Sequence, residues 1–162
     1  MNYIKISLGI FAALAASRFV PHPPNFTSLL ALSFYVPAIL GIRFLPALVV
    51  SFFITDLIIG FHGVTLFTWG SIILIGLMSN FFIANIKTRI SGALIGALMF
   101  FLITNFGVWV SGYMYPMNVN GLIMCYIAAL PFYKGTLLGF IFYSSFLFGA
   151  FESFKRIKLI VN

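Results

Sequence analysis

ISGALIGALMFFLITNFGVWVSG, Ile90 to Gly112, runs its whole length without an Asp, Glu, Lys or Arg. A helix crossing the ~30 Å hydrocarbon core of a bilayer needs ~20 mostly apolar residues, and this stretch supplies them. The rest of the chain has the same character. Of its 162 residues 62% are hydrophobic, 19% aromatic and 7% charged, and the mean hydropathy is +1.15. Soluble domains carry ~25% charged residues, so this chain has too little polar surface to cover a water-soluble fold, and intrinsic disorder is excluded for the same reason. The sequence is that of an integral membrane protein with one membrane domain over residues 1–162. Its length leaves room for about six spans.

Working outward from Ile90, Lys87 and Arg89 separate this span from an earlier one over Thr65 to Ala84. Before that, GFHG (Gly60 to Gly63) breaks a span over 44–60, Arg43 marks a tight turn, and 27–41 makes another span bent near Pro37. The VPHPPN run (Val20 to Asn25) stops any helix, because proline lacks the N–H and disfavours helix in the residue before it. A first span therefore covers 4–20. Towards the C-terminus YPMNVNG (Tyr115 to Gly121) interrupts, and the last span covers 133–151. Leu122 to Pro131 is apolar but too short to cross, and reads as a re-entrant or interfacial segment packed on the bundle. The expected fold class is all-α: a six-transmembrane-helix bundle with that segment before the last helix.

The net charge of +7 comes from nine Lys and Arg against two acids. The basic residues lie at span ends, so they report topology and not a nucleic-acid partner. With six spans, Lys5, Arg43, Lys87, Arg89, Lys155, Arg156 and Lys158 share one side, against Arg18 and Lys134 on the other. Both termini are expected on the cytoplasmic face of a bacterial inner membrane. The N-terminal segment also has features of a cleavable signal, with Lys5, a short apolar core and the small residues Ala12 to Ser17. Glu152 is spaced to pair with Lys155 and Arg156 on a helix surface.

This topology gathers the unusual side chains at the outer end. Arg18, His22 and Asn25 fall in the first outer connection and His62 in the second. Tyr113, Tyr115, Asn118, Asn120, Cys125 and Lys134 fall in or after the third. Asp56 lies one turn before GFHG, and Asn105, Trp109 and Tyr113 share a helical face at spacing four. Polar groups within a bilayer are costly unless paired or lining a cavity, so a one-sided cluster predicts an outward-facing pocket. Plainer readings stand beside this one. Asp56 can neutralise Arg18 or Lys134, His22 and His62 can hold their own turns, and the aromatics can form an interfacial belt. Cys125, the single cysteine, can be an inert apolar filler.

Other chemistry is missing. There is no Walker loop, HExxH, paired carboxylate or serine nucleophile elbow. No cofactor or metal is called for, and a proton relay would need more intramembrane acids than Asp56. Small residues recur at spacing four at Ala12 and Ala16, Gly92 and Gly96, and Gly135 and Gly139. Each pair lets helices approach closely, either within the chain or, for Ala12 and Ala16 on the first helix, against another subunit.

SRFVPHPPNFTSLLAL (17–32), DLIIGFH (56–62), FFLITNFGVWVSGYMYP (100–116) and GLIMCYIAALPFYKGTLLG (121–139) resemble an uncharacterised family of small bacterial membrane proteins grouped with transport proteins. More remotely, the six-helix plan, the Ala12/Ala16 spacing and the acid closing the third helix look like the S components of energy-coupling-factor vitamin transporters. That resemblance implies a ligand held near the outer face, and a first helix touching a transmembrane coupling subunit with its ATPases. The N-terminal Met-His signature of nickel and cobalt members is replaced by Met1, Asn2, Tyr3. The expected function is membrane-embedded binding of a small nutrient such as a vitamin or its precursor. Trp109, Tyr113 and Tyr115 would stack on it, Asn105, Asn118 and Asn120 would hydrogen-bond it, and Asp56, His22, Asn25 and His62 would meet its polar or cationic groups. The rival readings are an accessory subunit of a membrane complex, and a small enzyme using Cys125 with a histidine and Asp56.

Overall fold

The computed structural model describes residues 3–161, apart from the side chains of Ile86 and residues 151–161. The proposed pairing of Glu152 with Lys155 and Arg156 lies outside the described side chains. Six α-helices follow one another: α1 (Tyr3–Phe19), α2 (Leu29–Tyr35), α3 (Leu45–Ile59), α4 (Thr65–Met78), α5 (Ile86–Val110) and α6 (Val119–Val161). No strand occurs among the described residues. Four stretches are long and apolar enough to cross a membrane: Ile42–Ile59, Thr65–Phe82, Lys87–Val110 and Val119–Ala150. The chain is an all-helical membrane protein.

The bundle is built around α2. Every residue of this helix is buried, which is what a helix apolar on all sides requires. It continues as a π-helical turn, Val36–Leu40, that takes in Pro37, where the proline withholds a backbone donor. The whole run Leu29–Leu40 rises only about 18 Å at ~1.5 Å per residue and cannot span the core by itself. Its serine stays in the apolar centre by donating to its own helix, Ser33 Oγ to Leu29 O at 2.7 Å. Ser51 and Ser71 on α3 and α4 do the same towards Ala47 O and Phe67 O, because an unpaired hydroxyl there would cost its full desolvation.

Around α2, α1 and α3 run parallel, since Tyr3 stacks on Phe44 at one end while Arg18 reaches Asp56 at the other. α4 and α5 are antiparallel, as Gly107 lies against Phe67 and Gly92 against Phe82. Leu14, Leu48, Phe52 and Ile72 form one core cluster with α2, and Phe34, Ile75, Ala97 and Phe140 form the other. α5 begins at Ile86, four residues before the expected Ile90. The reason is a reciprocal cap in which Thr88 N donates to Asn85 Oδ1 and Asn85 N to Thr88 Oγ1, both at 3.0 Å. Lys87 and Arg89 thus lie inside the first turns: their charges mark a border of the apolar span and not the end of a helix.

The expected re-entrant segment is not separate. Leu122 to Pro131 forms the first part of α6, one continuous helix of 43 residues with Pro131 inside it, about 65 Å long. A proline in a membrane helix removes one backbone bond without ending the helix where neighbouring elements support it. Here α5 does so, with Tyr126 Oη donating to Leu102 O at 2.7 Å and Phe101 against Tyr133 at 4.7 Å between ring centroids.

Candidate functional site

The loop after α1 decides where the site forms. Ser17 Oγ and Ser28 Oγ are 2.7 Å apart, and Ser28 N donates to Ser17 Oγ at 3.1 Å, so the last turn of α1 is tied to the start of α2. Between these anchors the chain crosses to α6, where Pro24 O meets Gly135 and Phe26 meets Gly139. Asn25 takes φ of 59° to make this turn, a left-handed conformation that asparagine tolerates better than most residues. The crossing closes one side of a cavity of about 500 Å³, within the usual range for a small-molecule site. The short α2 begins beside it, with Thr27, Leu29 and Leu30 among the lining residues.

Polar groups enter the cavity from different elements: Arg18 from α1, His22 and Asn25 from the loop, His62 from the α3–α4 turn, and Thr104 with Asn105 from α5. Phe52, Phe100, Phe101, Phe132 and Tyr133 supply aromatic wall. Asn105 Nδ2 donates to Phe101 O at 2.7 Å, so its own helix satisfies the amide donor that the sequence leaves in need of a partner. His22 Nδ1 lies 2.8 Å from Pro23 O. His62 holds its turn through backbone groups, N donating to Thr65 Oγ1 at 3.0 Å and O accepting from it at 2.6 Å.

Asp56 stands behind this wall and does not line the cavity. It is fully buried, with Oδ1 2.7 Å from Arg18 Nη1 and Oδ2 accepting from Trp69 Nε1 at 2.8 Å. Arg18 Nη1 also donates to Thr55 Oγ1 at 2.5 Å, and its Cζ sits 4.6 Å above the Phe52 ring. Of the two partners open to Asp56 in the sequence, the structure selects Arg18. Lys134 is exposed on α6. Breaking a buried pair leaves an uncompensated charge at a cost of about 3–5 kcal/mol, so Arg18 and Asp56 hold the end of α1 against α3. Trp69, Thr104, Phe101 and Tyr133 are site residues that the sequence reading misses. A buried acid needs donors, so an indole on the following apolar helix is the one signal that pointed to any of them.

The structure therefore brings His22, Asn25, His62 and Asn105 to one cavity. Trp109, Tyr113, Tyr115, Asn118 and Asn120 do not line it and belong to the α5–α6 hairpin. Trp109 Nε1 donates to Pro116 O at 3.0 Å, Asn118 Oδ1 accepts from Gly121 N at 2.9 Å at the start of α6, and Tyr113 is 88% exposed. Tyr115 is half-buried and Asn120 exposed. Cys125 is buried away from the cavity, its Sγ donating to Asn105 O at 3.4 Å, so no thiol meets His22 or His62 there. No group of three or more metal-ligating side chains gathers among the described residues.

The arrangement is that of a helical membrane protein with a mixed aromatic and polar cavity at one end of the bundle. The chain belongs to a family of unknown function, DUF6580, which it matches over residues 2–159. No curated protein and no solved structure matches it.

Proposed function

We infer that the protein is a membrane-embedded substrate-binding subunit that takes up a small nutrient, such as a vitamin or its precursor, in the manner of an S component. The observation that carries this reading is the cavity of about 500 Å³ with aromatic walls and polar groups converging from α1, its loop, α3–α4 and α5. Polar groups set among aromatic and aliphatic wall give orientation and affinity without chemistry, which suits capture. In this reading the chain passes through the membrane six times, and the second passage is made by the short α2 and its π-helical turn, enclosed by the longer helices. Both termini are cytoplasmic and the cavity faces outward, as the distribution of basic residues asks. A transmembrane coupling subunit with ATPases docks on α1, where Ala12 and Ala16 are exposed. Its closeness to vitamin-transporter S components rests on the resemblance of the sequence.

Native mass spectrometry of the purified protein tests the binding role. A small molecule should co-purify, and Asn105→Ala should release it while Trp109→Ala, on the hairpin, retains it. A protein that carries nothing and supports normal uptake as Asn105→Ala is not a binding subunit of this kind. Orientation is tested by cysteine labelling in intact cells, with position 118 accessible from outside and position 87 only after permeabilisation. Labelling of both from one side would end the six-span reading.

A further inference from the structure

Among the described residues Arg18 is the one formally charged residue that lines the cavity. Its contacts with other side chains are all accounted for: Nη1 serves both Thr55 Oγ1 and Asp56 Oδ1, and the face of the guanidinium lies over Phe52. Nε and Nη2 have no acceptor among the described residues. These two donors form a parallel fork, the geometry that a single carboxylate accepts in bidentate fashion.

The neighbourhood leaves that fork electropositive. Asp56 is fully buried, is not among the lining residues and has its second oxygen already taken by Trp69, so of the ion pair only the guanidinium borders the cavity. Among the described residues no Asp or Glu lines the cavity, while His22 and His62 do. A cationic ligand would meet Arg18 with nothing on the wall to offset it, whereas a carboxylate would complete the guanidinium. Phe101, Phe132 and Tyr133 line the cavity beside it and give apolar wall for an aromatic or unsaturated body attached to that group.

We propose that the ligand of this cavity is a small organic carboxylate with an aromatic or other planar apolar body, its carboxylate held by Nε and Nη2 of Arg18. Asp56 and Trp69 are positioning residues that keep the fork aimed. The assignment of a carboxylate rests on the cavity being a ligand site, as argued above, and names the chemistry of what enters it.

Three probes of one shape separate the outcomes: 2-naphthoate, 2-naphthamide and 2-naphthylmethylammonium, titrated by fluorescence into the purified full-length protein. The naphthoate should bind roughly 10- to 100-fold more tightly than the amide, the range expected for hydrogen bonds to a charged group. The ammonium should bind worst. Arg18→Gln alone strands Asp56 in the apolar interior, so the decisive variant is Arg18→Gln with Asp56→Asn, which keeps a neutral hydrogen-bonding pair. In it naphthoate should lose far more affinity than the amide, so that the preference for naphthoate vanishes. Equal binding of naphthoate and naphthamide to the unaltered protein, both lost in Asn105→Ala, would overturn the carboxylate and leave the binding site standing. Tighter binding of the ammonium would also overturn it. Saturable binding of none of the three would sink both readings.

Discussion

Two pairs of small residues with the same spacing meet opposite fates. Gly135 and Gly139 on α6 face inward, where a Cβ on the first would overlap the Pro24 carbonyl oxygen and one on the second would come within 3.0 Å of Phe26 Cα. Ala12 and Ala16 on α1 face outward and touch nothing that buries them. Spacing alone does not distinguish the two, because a small-xxx-small pattern reports only that a backbone can be approached. What approaches differs. On α6 it is the irregular loop of this same chain, and the glycines let that loop lie along the helix and close the cavity. On α1 the face is left for another molecule or for lipid.

The contrast can be broken by adding bulk. Gly135→Ala should have the largest effect on the chain itself, since a backbone carbonyl is in the way and the loop must move; a loss of about 1–3 kcal/mol is expected for overpacking, read as a lower unfolding temperature in detergent. The displaced loop should also open the cavity and weaken ligand retention. Gly96→Ala is the gentler internal case. Its Cβ would sit 3.3 Å from Ile75 Cγ2, a side-chain atom that can yield, and the ~1 kcal/mol gain in helix propensity offsets the crowding, so stability should stay within about 1 kcal/mol of the parent. Ala12→Leu with Ala16→Leu should move the unfolding temperature least of all. Ligand binding by the isolated protein should survive, and co-purification with a coupling subunit should be lost. If that double variant unfolds instead, the α1 face is internal packing and the contrast with α6 disappears.

The helices were legible because apolar length is a one-dimensional property: Ile90 to Gly112 and Phe44 to Gly60 find their helices within a few residues. The start of α5 differs from the sequence expectation because charge does not end a helix, and the Asn85 and Thr88 cap sets it instead. The unity of α6 is hidden in the sequence because Leu122 to Pro131 is locally too short to cross, whereas support from α5 decides whether a helix runs through a proline. The site was legible only in part. The one-sided placement of His22, Asn25, His62 and Asn105 follows from counting spans, and these four share the cavity. The Asn105, Trp109, Tyr113 face did not extend into it, since rotation about α5 turns Trp109 towards the Pro116 carbonyl. The aromatic wall could not be read at all. Phe101 and Tyr133 are ordinary membrane-helix residues until the loop crosses to α6 and leaves a space beside them.

The shortness of α2 also bears on how the protein is made. A segment of about 18 Å cannot rest in a bilayer by itself, and Arg18 leaves the ribosome well before the aspartate that balances it. The end of α1 is not settled until α3 has been synthesised and Asp56 can fold back onto Arg18, and α2, which packs chiefly against α4 and α6, is not enclosed until those have followed. The order of synthesis and the order of packing therefore differ, since α2 is made second and enclosed last. A chain stopped before residue 56 holds an uncompensated guanidinium at the end of α1.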